Sequence, residues 1–260
     1  MESSVNPSKP EQMGRLEIRV AQTPADSALI ADLFDKVWDV KAMVSPEIMT
    51  ASLHNGGYGS VIYIDSQPVG AAFALVGRAL PGLDGPNLHS HATGVLPSFV
   101  GKGIGEIIKR HQWDWAKENG FDTITWTFDP LVRRNAHFNV IKLGATVLGY
   151  HQNFYGELDD GINAGEQSDR VLVRWDVAGV DAPLGYSFIE PTPNSIVIET
   201  PADIEQLRKT DRVQSDGWRA RQRAAFESAQ LAGLRVIGLT NDFSYVLDVR
   251  DETNETDGAL

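Results

Sequence analysis

Two histidines, His89 and His91, stand two residues apart in Leu88-His89-Ser90-His91-Ala92-Thr93-Gly94-Val95, a run whose pattern reads as a strand. Residues two apart in a strand share a face, so both imidazoles look into the same space together with Thr93 and Val95. The chemistry such a pair suits is proton transfer. An alkyl amine has a pKa near ~10.4, arrives protonated at neutral pH, and must lose a proton before its nitrogen can attack a carbonyl. A histidine near neutrality can take that proton, an effect of roughly 10² to 10⁴ in rate. The same spacing also fits strand histidines satisfied by neighbouring hydrogen bonds. A metal site would need a third His, Cys or carboxylate spaced with them, and the sequence offers none.

Directly after this strand comes Val95-Leu96-Pro97-Ser98-Phe99-Val100-Gly101-Lys102-Gly103-Ile104-Gly105. Three alternating glycines at a strand-to-helix junction let the backbone approach an anion with no Cβ in the way, and the first N–H groups of the helix supply donors. That makes a phosphate cradle, and its length suits a diphosphate. A Walker loop does not fit, because Leu96 stands five residues before Gly101-Lys102 and Gly103 follows them. A dinucleotide fingerprint does not fit either, because Glu106 falls where the third glycine should be.

The segment resembles the acyl-CoA loop of the GNAT superfamily of N-acyltransferases, Val-x-Pro-x-x-Arg/Gln-Gly-x-Gly-x-Gly, with Val100 in place of the Arg or Gln. Downstream, Ala136 and Lys142-Leu143-Gly144 fall where that family has the Ala of Asn-x-x-Ala and its Lys-x-Gly-Phe, while the family's Asn falls on Arg133, two residues before Asn135. The resemblance implies acetyl-CoA, or another short acyl-CoA, as co-substrate. Val95 and Leu96 would meet the pantetheine and thioester through main-chain groups, and Val100, Gly101, Lys102, Gly103, Ile104 and Gly105 would hold the diphosphate. Asn135 would fix the pantetheine arm. The histidine strand resembles that of the arylalkylamine (serotonin) N-acetyltransferases, which implies amine deprotonation by His91 helped by His89. Many family members use a Tyr to protonate the departing thiolate. Val140 occupies that position here, which leaves Tyr150 and Tyr155 as candidate donors or as ordinary rim aromatics. Without that Tyr, a non-catalytic acyl-CoA-binding sensor or regulatory module stands as the alternative to an N-acetyltransferase.

These groups must be carried on a fold. The expected class is α/β (α+β), the GNAT fold, with a mixed central sheet flanked by helices and a C-terminal β-α-α-β-β appendage. Strands are expected at 16–20, 60–64, 69–76, 88–96, 123–128, 146–150 and 171–176. Helices are expected at 24–40, 46–53, 104–119 and 135–143, the third with an apolar stripe of Ile104, Ile107, Ile108, His111 and Trp115. This gives an acyltransferase domain over 15–178 between a disordered lead, 1–14, and an appended unit over 179–250, with a disordered tail at 251–260. In the appended unit Thr200-Pro201-Ala202-Asp203 repeats the helix start Thr23-Pro24-Ala25-Asp26, a longer helix is expected near 216–232, and a hairpin pairs 234–240 with 243–249.

The chain has 260 residues, 42% hydrophobic, with a net charge of −12 and no cysteine. It can bury a large core, has no apolar run of the ~18 to 20 residues a membrane span needs, and lacks a signal core at its start. It reads as cytoplasmic, with no membrane and no nucleic-acid partner, and its negative charge favours a cationic small-molecule amine as acceptor. Asp129, with Glu157, Asp159 and Asp160, could attract such an amine or form a solvated rim, and Arg133 could meet a phosphate or carboxylate. The appended unit has too little core to stand alone and is expected to pack on the main domain or on a second copy in a homo-oligomer.

Overall fold

Thr23 and Asp26 settle the first helix by reciprocal capping. In a computed structural model of the chain the Asp26 amide donates to Thr23 Oγ1 at 3.2 Å and the Thr23 amide donates to Asp26 Oδ2 at 2.9 Å. The structure describes residues 14–81, 85–158 and 166–249. The lead expected to Gly14 lies outside them up to residue 13, as do the tail at 251–260 and Asp159 and Asp160.

The order is β1 (Leu16–Val20), α1 (Pro24–Trp38), α2 (Pro46–His54), β2 (Tyr58–Ile64), β3 (Gln67–Gly77), β4 (Asn87–Val95), a 3₁₀ turn (Pro97–Phe99), α3 (Ile104–Glu118) and β5 (Thr123–Phe128). Next come α4 (Arg133–Ala136), continued by a π-helical turn (His137–Lys142), then β6 (Thr146–His151), the short β7 (Glu157–Leu158) and β8 (Glu166–Gln167), and β9 (Arg170–Asp176). Seven strands form one sheet in the order β1-β2-β3-β4-β5-β9-β6. All neighbours are antiparallel except β4 and β5.

Apolar layers cover both faces. Ile30, Phe34 and Met49 of the first two helices pack with Val61, Ala71 and Phe73. On the other face Ile104 and Ile108 of α3 pack with Leu88, Ile124, Trp126, Val173 and Trp175. The buried side of α3 is Ile104, Ile108, Lys109, Gln112, Trp113 and Ala116, rotated from the expected stripe, which leaves Ile107, His111 and Trp115 at its edge. A helix lying flat on a sheet buries more than a narrow stripe, and here the broader face takes in one lysine.

The C-terminal residues form β10 (Ile196–Ile198), α5 (Ile204–Thr210), α6 (Arg212–Leu231), β11 (Arg235–Leu239) and β12 (Tyr245–Asp248), with a three-stranded sheet in the order β10-β12-β11. Ile198, Phe226, Ala229, Leu239, Tyr245 and Leu247 belong to the same apolar cluster as the main sheet, and the Tyr150 ring stacks on Phe226 with centroids 4.8 Å apart. The repeated tetrapeptide does not repeat its structure. Asp203, not Thr200, caps α5 by accepting from the Gln206 amide at 2.9 Å. Thr200 is drawn away by tertiary partners, accepting from Arg133 and donating to the Phe243 carbonyl. No helix among the described residues is long and apolar enough to cross a membrane.

Candidate functional site

β4 and β5 are parallel neighbours for only three pairs, Asn87 with Thr123, Leu88 with Ile124 and His89 with Thr125. Past that point β4 runs on to Val95 and β5 to Phe128 with no pairing between them, so the sheet opens into a slot. The slot's start coincides with a β-bulge. Ala74 faces Ser90 and Phe73 faces Ala92, which leaves His91 as the extra residue on β4. Simple alternation therefore does not describe this strand, and the bulge re-aims its side chains where the strands part.

The glycine loop lies at the far end of β4. Gly101 and Gly103 have φ of 84° and 79°, the left-handed region that glycine tolerates. A Cβ at either position would meet nothing within 4 Å, so the concave side is open. Gly103 is the N-cap of α3 and provides no side-chain cap. The main-chain N–H groups of residues 101 to 105 make no backbone hydrogen bond among the described residues, and five consecutive free donors at a helix N-terminus suit an anion such as a diphosphate. Val100 is exposed and its amide donates to the Pro97 carbonyl. The Leu96 amide donates to the Val69 carbonyl at 2.9 Å and the Leu96 carbonyl accepts from the Phe99 amide at 2.8 Å, so both of its main-chain groups are already engaged within the protein. Lys102 extends over the Phe99 ring at 5.1 Å. Among the described residues the Asn135 side chain makes no hydrogen bond, while its carbonyl accepts from Asn139 Nδ2 at 2.8 Å.

On one face of the slot His89 Nδ1 lies 3.2 Å from Thr125 Oγ1, and the His91 ring meets Phe73 and Tyr155 edge-on at 6.3 and 6.4 Å. The Tyr155 hydroxyl is 3.3 Å from Thr127 Oγ1, and the Arg170 guanidinium lies 5.6 Å from the Tyr155 ring centroid. Burial, reinforced by the charges of His91 and Lys109, lowers the His89 pKa to about 4. Burial lowers His91 as well. Both rings are therefore neutral at pH 7, the form that accepts a proton.

Lys109 lies against the opposite face. It is 3% exposed, donates to Ser90 Oγ at 3.1 Å and Gln112 Oε1 at 2.9 Å, and sits 3.7 Å from the Trp126 ring centroid. Burial lowers its pKa to about 7. Sequence reasoning missed this residue and Asn139, which accepts from Trp126 Nε1 at 2.8 Å. In sequence each reads as an ordinary polar helix residue.

Three residues expected near the acceptor have their polar groups engaged within the protein. Asp129 accepts from Arg219 and Arg208, so its carboxylate is neutralised within the protein rather than presented free to an amine. Arg133 donates to Thr200. The Tyr150 hydroxyl donates to Asp169 at 2.5 Å, and burial first, then Asp169, raises its pKa far above the ordinary phenol value. Of Asp129, Arg133, Tyr150 and Tyr155, Tyr155 is the one that stands beside His91. Among the described residues no group of three His, Cys, Asp or Glu side chains is placed to hold a metal.

A model of the acetyltransferase (GNAT) family matches residues 27–144, from α1 to the end of the π-helical turn. No curated protein matches the chain. Solved structures do. One from Salmonella typhimurium, described as an acetyltransferase with its cofactor acetyl-CoA, is 19% identical with a TM-score of 0.51, over 65% of this chain and 98% of that one. The ribosomal-protein-S18-alanine N-acetyltransferase from Escherichia coli is 13% identical with a TM-score of 0.50, over 66% of this chain and all of its own. An N-acetyltransferase from Staphylococcus aureus Mu50 is 17% identical with a TM-score of 0.50, over 63% of this chain and 99% of its own. The fold of the chain is the GNAT fold.

Proposed function

We propose that this chain, built on the GNAT fold, transfers an acyl group, with acetyl the expected one, from acyl-CoA to the amine of a small molecule by direct attack in a ternary complex. The observation that carries the reading is the slot between β4 and β5, which has free amides at one end and neutral imidazoles beside its start. The loop and α3 suit a diphosphate, and the slot beyond them suits an extended arm. Acyl-CoA has that shape, with its thioester then reaching the bulge beside Ser90 and His91.

His91 takes the proton from the incoming amine, directly or through water, while His89, fixed by Thr125, lines the same approach. The resemblance of this pair to the histidines of arylalkylamine N-acetyltransferases supports the assignment. Tyr155 and Thr127 border the acceptor's path. The chain's net charge of −12 suits a cationic acceptor.

The test is thiol release from acetyl-CoA against a panel of amines and amino acids. His91→Ala should lower kcat by roughly 10² to 10⁴ while the Kd for acetyl-CoA stays near that of the unaltered protein. Loss of CoA binding in the same variant would place His91 in donor packing, and CoA binding without turnover on any amine would refute transfer.

A further inference from the structure

The departing thiolate needs a proton, and the position that resembles the family's proton donor is Val140, a buried aliphatic side chain. Neither tyrosine first considered as its substitute fits. The Tyr150 hydroxyl is committed to Asp169, and Tyr155 stands on the histidine side, where the amine approaches. Resting on the acyl-transfer reading above, we infer that Lys109 is the acid that protonates the departing CoA sulfur, from the face of the sheet opposite His91.

The geometry is specific. The last β4–β5 pair is His89 with Thr125, so Ser90 and Trp126 are the first residues beyond it and mark the floor of the slot. Lys109 Nζ touches both, at 3.1 Å from Ser90 Oγ and 3.7 Å from the Trp126 ring centroid. From Val95, beside the glycine loop, back to Ser90 is five residues, about 17 Å of strand, so an arm anchored at the loop and lying along β4 ends at this floor. The helix that offers free amides at its first turn also carries Lys109, five residues after Ile104. An ammonium there has no structural requirement, because an apolar side chain would fill the position at lower desolvation cost.

The surroundings show why the group can give up its proton. From β4 the titratable neighbour is His89. From β5 and β9 come the indoles of Trp126 and Trp175, the latter at 5.6 Å. From α3 comes neutral Gln112, while Arg110 lies over Trp175 at 5.4 Å. No carboxylate lies within ion-pair distance of Nζ among the described residues. Burial without a counter-charge brings the pKa to about 7, close to the value an acid working at neutral pH should have.

The step balances. The amine gives a proton to His91 and its nitrogen forms the C–N bond. As the C–S bond breaks, the electron pair stays on sulfur and Lys109 donates a proton to it. The nitrogen's second proton leaves through His91 to solvent. Lys109, now neutral and still bonded to Ser90 and Gln112, regains a proton when CoA departs and water enters the slot.

The test is a titration of the thiol of bound CoA by thiolate absorbance near 240 nm, which needs no acceptor. In the unaltered protein the thiol should titrate at least about one unit below the ~8.5 of an ordinary thiol, because Lys109 and the CoA sulfur titrate as a coupled pair in which the ammonium and the thiolate stabilise each other, raising Lys109 as the thiol falls. In Lys109→Met, of similar length and without charge, it should titrate at or above the free value. With an active amine, Lys109→Met should lower kcat by roughly 10² or more, hold the Kd for acetyl-CoA, and abolish a decline in kcat above about pH 7. Equal thiol pKa in free and bound CoA overturns the assignment from the unaltered protein alone, whether or not the variant folds. Failure of the unaltered protein to take up CoA in equilibrium dialysis instead overturns the acyl-transfer reading, and this one with it.

Discussion

Asp129 accepts from both terminal nitrogens of Arg219, at 2.9 and 2.8 Å, which ties the end of β5 to α6. Arg208 of α5 adds a third bond at 2.5 Å. Burial alone would push this carboxyl up, but Arg219 and then Arg208 outweigh it and hold the pKa well below the usual carboxylate range. Breaking one member of a buried ion-pair set costs about 3 to 5 kcal/mol. Asp129→Asn should therefore lower the urea midpoint by that equivalent, with an unchanged m-value. The sign with pH follows from the depressed pKa, since the contribution is present above about pH 4 and is lost as pH falls through the folded-state value. A variant as stable as the parent at pH 7 would show that the triad does not hold the C-terminal segment in place.

Gly103 tests the cradle. At its φ of 79° an L side chain is strained by about 1 to 2 kcal/mol, yet a Cβ there meets nothing in the protein. Gly103→Ala should cost only that strain in stability, while weakening CoA by more than about tenfold, or 1.4 kcal/mol, because the methyl enters the space the anion needs. Gly105→Ala is the control. Its Cβ would stand 3.6 Å from Phe138, an ordinary contact at a φ outside the left-handed region, so stability should hold. Calorimetric titration with CoA separates the two.

Most of the scaffold was legible in the sequence because local chemistry and tertiary environment agree there. Thr23 with Asp26, the alternation of Ile124, Trp126 and Phe128, and the glycines after Val95 all mean locally what they mean in the fold. The Thr200 tetrapeptide failed because Arg133, distant in sequence, competes for the threonine that would have capped the helix. Insertion of β9 between β5 and β6 left no trace in local pattern, since strand order is set by which edge is free when the chain returns. At the site, glycine loop and histidine pair were visible as motifs. The bulge at His91 was not, because one extra residue in a register changes no composition. Lys109 was hidden by its own charge: in Ile-Ile-Lys-Arg-His a lysine reads as solvent-facing, and only the packing of two tryptophans over it shows otherwise.

That burial has a measurable cost. Lys109 drops from 10.5 unfolded to about 7 folded, so between those values the unfolded chain binds more protons and stability rises with pH. Below about pH 7 the full penalty applies, up to about 5 kcal/mol at 1.36 kcal/mol per unit. Lys109→Met should therefore raise the melting temperature at pH 7 and flatten the climb in stability from pH 7 to 10. A variant less stable than the parent at pH 7 would mean that Nζ contributes more through Ser90, Gln112 and Trp126 than its desolvation costs.

His89 gives a second window of the same sign, at acid pH. Its pKa falls from 6.5 unfolded to about 4 folded, so the unfolded chain again binds the extra proton and stability is lost as pH drops from about 6.5 towards 4, by about 3 kcal/mol at most. His89→Asn, which can still hydrogen-bond Thr125, should flatten that slope. It should leave the acid limb of kcat/KM near its original place if the base is His91, as proposed, since the lowered pKa of His91 comes from burial rather than from His89. That limb should lie below pH 6.5, the ordinary histidine value. An acid limb that moves by a unit or more in His89→Asn would transfer the base from His91 to His89, and urea midpoints from pH 4 to 7, read beside the rate profile, tell the two histidines apart.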